Sequence, residues 1–386
     1  MDQRAVSDLH AELSRICADG RIPGLVAMAT DGERTLFAEA FGVRQLGDAT
    51  PMTLDTRFWI ASMTKAITTV AALQLVEQGR IGLHQPVGEV VPKLANPQVL
   101  VGFDDAGQPR LRAARSPLTL HHLLTHTSGY VYDFLSADYA RYQQATGTPG
   151  IGSHLNAALD MPLAFDPGER WEYGIGIDWA GKVVEAISGQ TLGSYLQEHI
   201  LGPLGMADTS FVPSLAKTAS IHLRGADGSL IPAPAAPTTP RELESGGGGL
   251  FSTGPDYLRF LGMVLGGGRL GDVVILKPET AALAAQNQIA GIDISRMSEV
   301  LALPPGLTPS MLGLEWTYGF ISSRLPGPAG RSAQSLAWAG LANTYYWIDP
   351  ARKIAGLILA QILPHNDADV LAAFATLESC IYRGLA

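Results

Sequence analysis

The sequence predicts an α+β protein: an antiparallel sheet assembled from both chain ends and flanked by helices, with a mainly helical domain inserted in the middle. Three observations carry this. Gly24–Thr30 and Thr35–Phe41 are two β-rich runs flanking Asp31-Gly32, a hairpin signature. A second pair, Thr344–Ile348 and Ile354–Ala360, flanks Asp349-Pro350 at the far end. Between them the patterning is mostly helical, and such an insertion leaves a cleft at the domain boundary, where ligands tend to bind.

Taken in order, residues 5–19 place Val6, Leu9, Leu13 and Ile16 at helical spacing before a stop at Asp19-Gly20. Ile60 to Lys65 opens a long apolar-periodic segment through Gln78, expected to be an amphipathic helix. Thr119 caps a short helix at Leu120–Thr125, and Trp179 to Ser188 is a helix ended by Gly189. A closing helix runs from about Asp367 to Tyr382. Residues 1–85 and 246–386 are therefore assigned to an α/β domain and 86–245 to the helical insertion. Tyr142–Ser153 and the region around Pro232–Pro240 are expected to shape the cleft between them.

Composition narrows the function. The 386 residues are 46% hydrophobic and 16% charged, enough for a sizeable core, and the 43 glycines and 25 prolines are spread along the chain, so they mark turns and not one disordered tract. Net charge is −9 with no run of Lys and Arg, which argues against a nucleic-acid partner. The first ten residues carry acids and no apolar core of a signal, and the longest apolar stretch, Ile354–Leu363, is too short to span a bilayer. A cytoplasmic protein without membrane partners is expected. Cys17 and Cys380, one near each end, are expected to be reduced, with a bridge between the termini left open.

Ser62 and Lys65 are the candidate nucleophile and its activator. A Ser-x-x-Lys spacing on a helix puts both side chains on one face. A serine at a helix start also has a free backbone N–H, so it can supply an oxyanion-hole donor as well as the nucleophile. Desolvation disfavours the charged form of a lysine, which lets it accept or shuttle a proton near neutrality. The spacing alone is a weak signal, because Ser214 to Lys217 repeats it; that copy follows Pro213, leads into no long helix and reads as a surface turn.

Other signals lead elsewhere. His122 and His126 are four apart, but Leu123 stands where a zinc hydrolase needs glutamate; His121, His122 and His126 are read as structural, and no metal is expected. The glycine run Gly246–Gly249 lacks the Lys-Ser/Thr of a phosphate loop and is expected to let the chain pass close to the cleft. No Gly-x-Ser-x-Gly elbow occurs. Asp178 reads as a local hydrogen-bonding residue, with a triad-like orienting role as the alternative.

From Phe58–Lys65 through Leu120–Gly129 (Leu-His-His-Leu-Leu-Thr-His-Thr-Ser-Gly), the chain resembles the penicillin-binding-protein and class C β-lactamase superfamily, and within it the family VIII carboxylesterases. The match continues through Phe165–Tyr173, Leu201–Met206 and Ser245–Ser252 to Trp338-Ala339-Gly340, in the expected order over nearly the whole chain. The resemblance implies that Tyr173, which opens the second motif, works with Lys65 to draw the proton from Ser62 and later protonates the leaving alcohol. A phenol alone is a poor base at neutral pH, and a neighbouring ammonium helps it hold negative charge.

Two departures bear on substrate. Ile175 stands where lactamases carry Asn, and Trp338-Ala339-Gly340 replaces Lys-Thr-Gly, removing a cation suited to a carboxylate. Trp338, Ala339, Gly340 and Ile175 are thus expected to line an apolar pocket favouring neutral esters, with Trp338 as a wall. By the same resemblance, the backbone N–H groups of Ser62 and Leu341 form the oxyanion hole, and Gly340 lets the chain approach the acyl group. The expected activity is a carboxylesterase for short to medium acyl groups, working through an acyl-serine without a cofactor. The alternatives are an acyltransferase, since Val101–Arg112 looks like fungal polyketide acyltransferases of this superfamily, or weak β-lactamase or D-alanyl carboxypeptidase activity. A non-catalytic binding protein on this fold is the reading from another class.

Overall fold

The computed structural model describes residues 2–214, 216–233 and 241–385. Seven strands form the main sheet: β1 Gly24–Thr30, β2 Thr35–Gly42, β3 Leu314–Trp316, β4 Ile321–Ser323, β5 Leu336–Gly340, β6 Thr344–Asp349 and β7 Ile354–Leu359. Their order is β3-β4-β5-β6-β7-β1-β2, every pairing antiparallel, so the C-terminal hairpin lies beside the N-terminal one with Val26 opposite Leu359. All residues of β1, β6 and β7 are buried, as expected for strands covered on both faces.

Alternation along the strands feeds two cores. Leu25, Ala27, Tyr345, Trp347 and Ile358 face a layer made by the terminal helices, α1 Gln3–Ala18 and α6 Ala368–Arg383. Val26, Met28, Tyr346, Ile348 and Leu357 face the larger core, which contains α2 Thr64–Glu77, α4 Gly176–Ser188 and α5 Gly254–Leu265. The short α3, Leu120–Leu124, starts at Thr119 as expected, in a capping box completed by His122.

α2 is not the amphipathic helix expected: every residue from Thr64 to Leu75 is buried. It packs against α4 and α5 inside the larger core, so it has no broad solvent face to carry a polar stripe. Segment 86–245 is also less helical than its pattern suggested. It holds a hairpin of Gln98–Phe103 with Pro109–Ala113, whose Arg112 grips Asp166 with two hydrogen bonds of 2.9 and 2.7 Å. His222–Arg224 pairs in parallel with Ile362–Leu363, returning this segment to the end of the main sheet's last strand. Residues 234–240, part of the region expected to shape the cleft, lie outside the described residues.

Cys17 and Cys380 are both free. Asp2 bonds to Gly384 while Arg21 pairs with Asp369, so α1 and α6 run antiparallel and carry the two thiols at opposite ends. That arrangement leaves no bridge between them. Burial pushes the Cys17 thiol up to about 12. Among the described residues no helix is long and apolar enough to cross a membrane.

Candidate active site

The site begins where a short strand turns into α2. Phe58–Trp59 pairs with Phe251–Ser252, and the Ile60 N–H donates to the Leu250 carbonyl at 3.1 Å. The next residue, Ala61, takes φ +43°, a left-handed conformation that costs a non-glycine residue about 1–2 kcal/mol. This bend starts the 3₁₀ turn Ala61–Met63 and presents Ser62 ahead of α2, without a side-chain capping bond. β5 passes directly behind. A Cβ on Gly340 would lie 2.3 Å from the Ile60 carbonyl oxygen and 2.2 Å from Thr344 Oγ1. Glycine at 340 is therefore demanded by the close approach of the turn that carries Ser62 and of the neighbouring strand.

Lys65 is completely buried, and its ammonium has three acceptors: Ser62 Oγ at 3.0 Å, the Tyr132 hydroxyl at 2.9 Å and the Gly247 carbonyl at 2.7 Å. Three acceptors match the three donors of an ammonium. The glycine run supplies one of them by wrapping around the start of α2. Gly246 O accepts from Thr68 at 2.8 Å and Gly248 O from the Trp59 indole at 2.7 Å. Asp178 holds the run from the other side, accepting from Ser245 Oγ at 2.5 Å and from Gly247 N at 2.9 Å. Burial raises the Asp178 carboxyl, opposed chiefly by the Lys65 charge.

Two tyrosines flank the lysine in different ways. Tyr132 offers its hydroxyl, and burial pushes that phenol well above its ordinary range, with Asp178 adding to the effect, so it stands there as a neutral group. Tyr173 offers its ring face, whose centroid lies 4.6 Å from Lys65 Nζ, while its hydroxyl accepts from Trp338 Nε1 at 3.2 Å. Trp338 is thus a hydrogen-bond donor to Tyr173. Its ring meets Trp316 edge-on at 4.6 Å.

The aromatic cluster closes around His126, whose ring lies 4.7 Å from that of Tyr173 and 5.0 Å from that of Trp316. Burial holds His126 well below its ordinary range, hence neutral. The other two histidines are engaged structurally: His121 Nδ1 meets the Tyr318 hydroxyl at 2.8 Å and His122 Nδ1 accepts from Thr119 N at 3.3 Å. A cavity of about 230 Å³ opens beside Tyr173, with walls that include Val131, Leu135, Glu172, Arg296 and Val300.

The structure brings Ser62, Lys65, Tyr173 and Trp338 together. Two expected pocket residues stand differently. Ile175 is 3% exposed and belongs to the main core just before α4, because the chain turns inward there to start the helix. Ala339 alternates with Trp338 along β5, so its side chain faces the terminal-helix layer and only its backbone is left for the cleft. Leu341 follows directly on β5, half-exposed. Tyr132 went unnoticed in the sequence. It follows Gly129 in a buried Tyr130-Val131-Tyr132 run that reads as ordinary core. Ser214–Lys217 forms a turn, with Lys217 N donating to Ser214 O; its Leu215 is outside the described residues.

Residues 3–380 match the family model described as beta-lactamase. The chain belongs to the β-lactamase family. The resemblance read from its motifs holds over this length, and the chain is an enzyme of the family's serine hydrolase and acyl-transferring kind. It is similar to monacolin J acid methylbutanoyltransferase of Aspergillus terreus, 35% identical over 387 residues covering 94% of this chain and 92% of the relative. It is similar also to lovastatin esterase of Penicillium rubens, 32% identical over 383 residues covering 94% and 95%. The unliganded simvastatin synthase of Aspergillus terreus superposes with a TM-score of 0.86 at 32% identity, covering 99% of this chain and 98% of that one. The β-lactamase and penicillin-binding-protein-like fold expected from the sequence is therefore the fold observed.

Proposed function

We propose that this protein is a carboxylesterase that hydrolyses neutral carboxylic esters with short to medium acyl groups through an acyl-Ser62 intermediate. The observation that carries the reading is the 3.0 Å contact between Ser62 Oγ and the Nζ of a fully buried lysine. An unprotonated Lys65 Nζ, with Tyr173 beside it, takes the Ser62 proton as Oγ attacks the ester carbon. The negative charge that develops on the carbonyl oxygen is met by the backbone N–H groups of Ser62 and Leu341. Tyr173, partnered by Trp338 and lying against Lys65, passes the proton to the departing alkoxide, so the alcohol leaves neutral and the acyl group stays on Ser62. Water then attacks the acyl carbon, giving its proton back through the same groups and releasing the acid.

Neutral esters are favoured because an indole stands where lactamases present a lysine for the substrate carboxylate. The cavity beside Tyr173 suits the alcohol portion, since the leaving oxygen must lie next to its proton donor; Val131, Leu135 and Val300 give it apolar walls, and Glu172, Arg296 and Glu299 charged ones. A second reading has a specific support: the similar chains include a named acyltransferase as well as a named esterase. An acyl-enzyme serves both, and the acceptor, water or an alcohol, separates them.

The test is hydrolysis of nitrophenyl esters of graded acyl length beside a chromogenic cephalosporin, with wild type and Ser62→Ala. Ester turnover abolished in Ser62→Ala and exceeding cephalosporin turnover in wild type is expected. Turnover surviving Ser62→Ala refutes the nucleophile; faster cephalosporin turnover refutes the substrate class. Transester product on adding alcohols assigns the acyltransferase reading.

A further inference from the structure

The lysine is aimed from a distance. Asp178 stands in the first turn of α4, and its Oδ1 receives both Ser245 Oγ and Gly247 N–H, while Gly247 turns its carbonyl to Lys65 at 2.7 Å. The fit is tight: a Cβ on Gly247 would lie 2.3 Å from Asp178 Oδ2, so the carboxylate presses directly against the glycine backbone. Oδ2 itself has no hydrogen-bond partner among the described residues, and the Lys65 charge is the main influence opposing the burial that raises this carboxyl.

The other titratable groups around the ammonium come from the chain that follows α3 and the residues that precede α4. Tyr132 follows α3 on the chain leading away from Gly129, Tyr173 precedes α4, and His126 ends the α3 turn. Burial keeps the Tyr132 phenol and the His126 imidazole neutral. Asp178 is the acidic group of the set.

We propose that Asp178 is a positioning residue for Lys65: through Gly247 it fixes the direction of the ammonium towards Ser62 Oγ. The inference rests on the Ser62–Lys65 reading above. It also decides between the two roles that the sequence left open for Asp178, an orienter or a merely local bond. The orientation is indirect, running through a backbone carbonyl where a Ser-His-Asp triad uses a ring nitrogen.

The experiment compares Asp178→Asn and Ser245→Ala with wild type on a nitrophenyl ester. Asp178→Asn keeps the shape and an acceptor oxygen but removes the charge. Its kcat is expected to fall about tenfold or more as Lys65 loses its aim, with KM little changed.

Ser245→Ala removes one bond to Asp178 and leaves the charge, so kcat falls severalfold with KM little changed. Wild-type kcat in Asp178→Asn, or a loss carried by KM, overturns the proposal in favour of a purely structural carboxylate. If Asp178→Asn does not accumulate as folded protein, Ser245→Ala decides: wild-type kcat overturns the proposal, and a severalfold loss at constant KM supports it. Ser62→Ala separates the two levels. Turnover in that variant removes the underlying mechanism, whereas an inactive Ser62→Ala beside an Asp178→Asn of wild-type kcat removes this inference alone.

Discussion

The two tyrosines around Lys65 invite a direct contest, because the resemblance favours Tyr173 while the hydroxyl on the lysine belongs to Tyr132. Tyr132→Phe deletes one oxygen and leaves the ring, which keeps its stack on Phe134 at 4.8 Å and its tilt against Tyr173 at 5.1 Å. Lys65 retains Ser62 and Gly247, so one of three hydrogen bonds to a buried charge is lost. A bond to a charged group is worth about 1.5–3 kcal/mol, which converts to a loss in kcat of about 10- to 150-fold if all of it falls on the reacting geometry. Tyr173→Phe instead removes the proposed acid–base group, worth about 10²–10⁴-fold. The assay is steady-state hydrolysis by both variants of esters that share one acyl group and differ in leaving alcohol, a nitrophenyl ester among them, with the acyl-enzyme burst measured separately. Tyr173→Phe is expected to be the slower, and to lose more with poor leaving groups, which need the proton, than with nitrophenol. If Tyr132→Phe is the more damaged and shows the leaving-group dependence, the proton role belongs to Tyr132 and the assignment of Tyr173 is refuted.

Three further outcomes are expected. Trp338→Phe removes the donor to Tyr173 at 3.2 Å; kcat should fall by about tenfold, as for one buried hydrogen bond, without gain of cephalosporin turnover, and an unchanged kcat would show the indole to be packing alone. Gly247→Ala drives a methyl to within 2.3 Å of Asp178 Oδ2, so ester turnover should vanish together with about 1–3 kcal/mol of stability in urea unfolding. His121 and His122 are held down to about 4 by burial, below the ordinary 6.5. As pH falls from about 6.5 towards 4 the unfolded chain therefore takes up protons that the folded one refuses, and stability drops across that window. Calorimetry should show a Tm falling there, less steeply in His122→Gln, and a parallel fall in that variant would assign the acid sensitivity elsewhere.

What the sequence makes legible follows from how local the cause is. The hairpins at 24–42 and 344–359 are readable because turn residues and β-rich runs act within a dozen positions, and both pair as expected. Ser62 and Lys65 are readable because a helical turn sets their distance. α2 hides its nature because complete burial erases the polar stripe that marks most helices. Tyr132 meets Lys65 across 67 residues and Asp178 meets Gly247 across 69, and no spacing rule reaches that far. Ala339 and Ile175 belong to motifs that point to the cleft. The backbone alternation of β5 and the inward turn before α4 send those two side chains elsewhere.

The same long-range logic explains why a strained residue can precede Ser62. Ala61 pays its left-handed penalty in a frame that neighbouring elements determine independently. Leu250 holds the Ile60 amide, Met63 N–H closes the turn on the Ile60 carbonyl at 3.0 Å, and the Tyr257 hydroxyl from α5 takes the Met63 carbonyl at 2.9 Å. β5, from the other end of the chain, blocks retreat at Gly340. Each restraint is worth about 1 kcal/mol net, so together they exceed the 1–2 kcal/mol of strain. Ser62 is consequently held by both chain ends at once, and Lys65, one turn on, is held by the glycine strap and Tyr132. On the proposed mechanism, a serine fixed in this way loses little orientational freedom on reaching the transition state, and an attack assisted by the buried lysine gains rate from it.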